Sequence, residues 1–191
     1  MISLTADPSK VMTAQFLKAL QFAAHKHRHQ RRKDVDKTPY INHPIAVANV
    51  LLNEASVTDE TVLIAALLHD TVEDTDATFE EIEQQFGRAV RDIVSEVTDD
   101  KSLPKAVRKQ RQVEHAPGLS DRARLLKLAD KTANLRDIAI ASPEGWTSDR
   151  INEYVEWGKA VVDNIRGTHL LLEQLFDSAY AQGKAAAQSQ A

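Results

Sequence analysis

An all-α fold is predicted for this chain by three observations. Glycine and proline number six each among 191 residues, about half their usual combined share of roughly 12%. Alanine, the best helix former, occurs 26 times. Every long segment repeats its apolar residues at the 3.6-residue helical period, and none alternates as a half-buried strand would.

The elements follow in order. From about 12 to 29, Phe16, Leu17, Leu20, Ala23 and Ala24 form one apolar stripe. A polar, basic loop covers about 30–42. Pro44 suits a first helical position, which puts His43 at or near the N-cap of a helix running to about Glu54. Thr58 can cap the next helix, whose Val62–Leu68 run is apolar all round and therefore belongs inside a bundle. Further helices are expected over about 78–86, 87–98 and 104–114, the last broken by His115-Ala116-Pro117-Gly118. Ser120 or Asp121 caps a helix reaching about Ile140. After a turn at Ala141–Gly145, Ile151, Tyr154, Val155, Val161, Val162 and Ile165 mark an amphipathic helix. A final helix starts near 168 with Leu171, Leu172, Leu175 and Phe176 inward. The expectation is one bundle of roughly eight to ten helices over residues 1–182, with 183–191 a disordered tail.

Composition excludes several functions. A net charge of −4 argues against a general nucleic-acid binder. Val62–Leu68 is too short to cross a bilayer, and residues 1–7 lack the pattern of a leader, so a cytoplasmic protein is expected. Without Cys there is no disulfide, thiolate metal site or iron–sulfur cluster. Any transition metal must be held by His, Asp and Glu.

The most informative stretch is His69-Asp70-Thr71-Val72-Glu73-Asp74, directly after the buried run. His69 with Glu73, and Asp70 with Asp74, are i,i+4 pairs on adjoining strips. Taken alone, the cluster reads equally well as a solvated helix end. Two other positions shift the balance: His43 at a helix start, and Asp130 within an apolar stretch with Asn134 and Asp137 near its face. His43, His69, Asp70 and Asp130 would supply two imidazoles and two carboxylates, a set suited to Mn²⁺ or Fe²⁺ and less to Zn²⁺. Glu73 and Asp74 are then placed to take the proton of a water that the metal activates.

These residues lie in longer motifs: Gln30–Lys33, Thr38–Pro44, Ala65–Asp74 and Lys127–Arg136. Together they resemble the metal-dependent HD-domain phosphohydrolases, and among these the hydrolase domain of the RelA/SpoT alarmone enzymes. The best fit is to the stand-alone small alarmone hydrolases of metazoan SpoT homologue type, over about residues 12–180. No synthetase or regulatory domain is expected to follow.

The resemblance implies an Mn²⁺-dependent 3′-pyrophosphohydrolase, with one ion per chain. Its substrates would be guanosine 3′,5′-bis(diphosphate), ppGpp, and pppGpp, yielding GDP or GTP plus pyrophosphate. It implies Glu73 and Asp74 as the catalytic pair, and Arg32, Lys33 and Asn134 as nucleotide contacts. Lys105 and Tyr154 match pocket residues, while Trp146 and Arg150 are candidate rim residues. Arg31 matches only a variable position. Two other functions share these motifs: a phosphatase acting on another ribose-phosphorylated nucleotide such as NADPH, and a non-catalytic alarmone sensor. The alternating His25, His27 and His29 sit among basic neighbours that oppose a second metal, and the resemblance matches His27 to a helix-terminal position, which implies a structural role. The stretch Lys105–Arg111 reads as a solvated helix face, and His115 and His169 as surface residues.

Overall fold

A computed structural model of the protein describes the backbone of residues 8–189 and the side chains of residues 14–189. Residues 1–7, expected to carry no leader, and the last two residues of the tail lie outside this range. The helices are α1 (Pro8–Lys26), α2 (Asn42–Asn49), α3 (Glu60–Leu68), α4 (Thr71–Asp74) and α5 (Phe79–Phe86). They continue with α6 (Arg88–Val97), α7 (Lys105–His115), α8 (Asp121–Ile140), α9 (Ser148–Asp163) and α10 (Leu170–Ser189). Among the described residues the extended backbone amounts to one antiparallel bridge, Arg31 with Pro39. The all-α expectation holds.

The apolar run predicted to be central is central. Val62 through Leu68 are all buried on α3, which packs against α1, α2, α6 and α8. A helix without a polar face has nowhere else to go. Asp59, rather than Thr58, caps it, accepting from Thr61 N at 2.9 Å. Helix α8 lies beside α3 and buries Leu126, Leu128, Ala129 and Leu135 together with four polar residues, Lys127, Asp130, Lys131 and Thr132. Ser120 caps it as expected. Helix α2 is shorter than predicted, because the chain from Val50 to Glu54 widens into a π turn.

The C-terminal expectation is corrected. Residues 183–189 do not form a disordered tail; they continue α10, where Gly183 and Ala187 are buried. A Cβ at Gly183 would stand 3.0 Å from Val155 Cγ2, so the glycine lets α10 lie close against α9. Small residues here mark helix contact rather than fraying.

No helix among the described residues is long and apolar enough to cross a membrane.

Candidate metal centre and phosphate cleft

The centre is built where α3 stops. The chain turns at His69 and Asp70, and α4 starts afresh at Thr71. The side chains occupy the carbonyls that this break exposes: His69 Nδ1 bonds to Ala66 O at 2.8 Å, and Thr71 Oγ1 donates to Leu68 O at 2.6 Å. His69 through Asp74 therefore do not share one continuous helical end. The turn instead sets His69 and Asp70 side by side, with His69 Nε2 3.0 Å from Asp70 Oδ2.

His43 comes from the first turn of α2, inside the helix rather than at its cap, since Ile41 precedes the first helical residue. Asp130 comes from the middle of α8. Asp130 Oδ1 is 3.2 Å from His43 Nε2 and 3.8 Å from His69 Nε2. Ligand atoms of His43, His69 and Asp130, all buried, lie within 4.8 Å of one another. Asp70 Oδ2 flanks the group, 3.8 Å from His43 Nε2, and accepts from Tyr40 Oη at 2.6 Å.

A cation fits this group on chemical grounds. The His69 Nδ1–H is committed to Ala66 O, so a neutral ring aims its Nε2 lone pair at two carboxylates; that buried nitrogen has no hydrogen-bond partner. Facing acceptors repel unless a proton or metal ion lies between them. The same demand appears in the titration of the cluster. Burial alone would depress the His69 pKa, but Asp70 and Asp130 outweigh it and raise it to about 9. Burial likewise opposes ionised Asp70, yet His69 and His43 hold it below the usual carboxylate range. The donor set and its chemistry thus suggest a divalent metal centre.

Beside the centre opens a cleft of about 710 Å³. Its lining includes His43, Asp74, Arg32, Lys33, Lys105, Asn134, Tyr154 and Trp146. The two members of the acidic pair differ. Asp74 lines the cleft and accepts from Gln30 Nε2 at 2.8 Å, whereas Glu73 accepts from Asp99 N at 3.0 Å. Burial raises the Glu73 pKa. Gln30 in turn orients His27, whose Nδ1 is 2.6 Å from Gln30 Oε1. His27 is buried, in line with its structural assignment.

The opposite wall is cationic. Arg32 reaches Asp137 Oδ2 at 2.5 Å and Asn134 Oδ1 at 3.4 Å. Asn134 Nδ2 donates to Asp130 Oδ1 at 2.6 Å, linking this wall to the metal group. Lys33 is exposed and forms no ion pair among the described residues. Burial, with Arg150, Lys33 and Arg108 nearby, lowers the Lys105 pKa. Such crowding of like charge invites a polyanion. Arg150 stacks on Trp146, 4.5 Å from its ring centre, at the rim.

Helix α7 corrects one expectation. Lys105–Arg111 is not simply a solvated face: Arg108 Nη1 lies 3.6 Å from Glu73 Oε1, and Lys109 Nζ lies 5.2 Å from the centre of the Tyr154 ring. Sequence reasoning also missed Lys101, which lines the cleft and pairs with Asp74. Nothing local to Asp99-Asp100-Lys101 marks it. Tyr40 and Gln30 lay inside the quoted motifs, and their partners emerge only when the loop before α2 folds back on α4.

A buried His/His/Asp group between packed helices, with an adjacent Asp beside a basic cleft, defines an HD-domain protein, and the chain belongs to that family: the HD-domain profile matches residues 19–154. Within it, the chain belongs with the guanosine-3′,5′-bis(diphosphate) 3′-pyrophosphohydrolases MESH1. It is 58% identical to the protein of that name from Xenopus tropicalis over 164 residues, covering 86% of this chain and 92% of the relative. It is 57% identical to the Homo sapiens MESH1 over 169 residues, covering 88% and 94%. A solved structure described as a metazoan orthologue of SpoT that hydrolyses ppGpp superposes with a TM-score of 0.86 at 55% identity, covering 89% of this chain and 96% of that one.

Proposed function

We propose that this chain hydrolyses ppGpp and pppGpp in the cytoplasm, breaking the bond to the 3′-diphosphate and releasing GDP or GTP plus pyrophosphate. Supporting this reading is the meeting of a cation-demanding His/Asp group with a cleft whose lysines are crowded by like charge. His43, His69, Asp70 and Asp130 would hold a divalent cation, Mn²⁺ by donor chemistry, at one ion per chain. When bound, that cation supplies Lewis acidity at phosphorus and makes water nucleophilic near neutral pH.

The chain's own residues do the rest. Arg32, Lys33 and Lys105 take the charge of the phosphates, Arg through its two-pronged guanidinium and Lys as point charges. Asn134 and Tyr154 position the nucleotide along the same wall. Asp74, steadied by Gln30, accepts the proton of the attacking water. Glu73, held by Asp99 N with Lys101 and Arg108 nearby, is the second member of the catalytic pair beside Asp74.

The test is product analysis of the purified chain with ppGpp and Mn²⁺. Pyrophosphate and GDP in equal amounts are expected. Three results would overturn the reading: release of single phosphate, removal of phosphate from NADPH with ppGpp untouched, or tight ppGpp binding without turnover.

A further inference from the structure

Asp130 is followed by a lysine that the reaction described above does not use. Lys131 is 4% exposed, and its ammonium lies 3.0 Å from Asp130 Oδ2. The Trp157 ring also lies close, its centre 4.4 Å away. A buried lysine pressed against a carboxylate that is itself to hold a cation is unexpected, because like charges repel. An apolar side chain would fill the same space without desolvating an ammonium.

The two oxygens of Asp130 have separate partners. Oδ2 faces Lys131; Oδ1 accepts from Asn134 Nδ2 at 2.6 Å and faces His43 Nε2 at 3.2 Å. We propose that Lys131 is a positioning residue: by holding Oδ2, it locks the rotation of the Asp130 carboxylate so that Oδ1 alone is offered between the two imidazoles. This inference rests on the assignment of Asp130 as a metal ligand. Free rotation would let both oxygens compete for the donors around them, and a metal site needs its ligands held by a second set of contacts.

Lys131 is itself held. Trp157 Nε1 donates to Lys109 O at 3.0 Å, fixing the ring from α7. Tyr154 stacks on Trp157 at 5.2 Å between centroids and on Trp146 at 5.5 Å. An aromatic series therefore runs from Trp146, just before α9 at the cleft rim, through Tyr154 and Trp157 on α9 to Lys131. Each ring has a cation over it: Arg150 over Trp146, Lys109 over Tyr154, and Lys131 over Trp157. The series makes a contiguous line of contacts from the cleft rim to the lysine that pairs with Asp130.

The experiment uses the full chain stripped of metal and titrated with Mn²⁺ alone, read by metal analysis and by tryptophan emission. Lys131→Met should weaken Mn²⁺ binding about 10- to 100-fold, the usual effect of losing an outer contact of a ligand. Lys131→Arg, which keeps a buried donor and charge, should recover part of that loss. Trp157→Phe retains the lysine and a smaller ring, and should weaken binding by a few-fold. Should Lys131→Met not fold, Trp157→Phe still decides: wild-type Mn²⁺ affinity there refutes the role. Equal or tighter Mn²⁺ binding in Lys131→Met also refutes it, since charge repulsion would then dominate. Asp130→Ala separates the two readings. Retention of Mn²⁺ there removes the metal assignment itself, whereas its loss with Lys131→Met unaffected removes only the positioning role.

Discussion

Helices α3 and α7 serve the same site in opposite ways. Helix α3 has seven of its nine residues buried and ends at Leu68, just before His69; α7 has none buried and begins at Lys105. In the proposed function the first leads into ligand atoms whose separations must stay constant, and close packing on every side supplies that rigidity. The other would present cations to a flexible polyphosphate. A long, half-solvated side chain can follow its target there, so packing matters less than charge. In the proposed function, metal chemistry is anchored in the core, while phosphate recognition falls to the surface elements around it.

That comparison can be broken in graded steps. Asp130→Ala or His69→Ala should remove the metal and reduce hydrolysis to background; full metal occupancy in both would dissolve the proposed ligand group. Glu73→Gln and Asp74→Asn should keep the metal but lower kcat by about 10²- to 10⁴-fold. Metal analysis beside steady-state kinetics separates these two classes. Leu67→Ala, at a site 1% exposed on α3, should cost about 2–5 kcal/mol in denaturant unfolding. Arg32→Gln and Lys33→Gln should each raise KM about tenfold, as expected for losing a charged hydrogen bond, with metal content unchanged. A matching fall in metal content would show that the two regions are not separable. Val107→Ala, at a site 41% exposed on α7, should shift stability by no more than about 0.5 kcal/mol. A loss comparable to that of Leu67→Ala would mean that α7 is as firmly packed as α3.

Much of the architecture was legible in the sequence because helix signals are local. The unbroken Val62–Leu68 run placed α3 at the centre, and Ser120 marked the start of α8. Where local signals misled, the neighbours explain it. Gly183 and the alanines after it read as a fraying tail, yet they are the small surface that lets α10 approach Val155. The basic spacing of α7 read as solvated, yet its 3.6-residue turn brings Arg108 toward Glu73 and Lys109 toward Tyr154. Lys101 had no local signal, since its partner Asp74 is 27 residues earlier.

By itself the sequence determined which residue types were available for chemistry: seven imidazoles, no thiols, and acidic residues at the ends and middles of apolar helices. Hydrophobic periodicity is written into neighbouring positions, so helices and candidate ligands could be read from it. Tertiary structure alone decided which candidates meet. His43 and Asp130 are 87 residues apart and lie 3.2 Å from each other only because α2 and α8 pack together. It also decided that Asp74 faces the cleft while Glu73 is held behind it, and that Lys131 sits under Asp130. Convergence of side chains depends on the angles and separations of packed helices, which no single stretch of sequence contains.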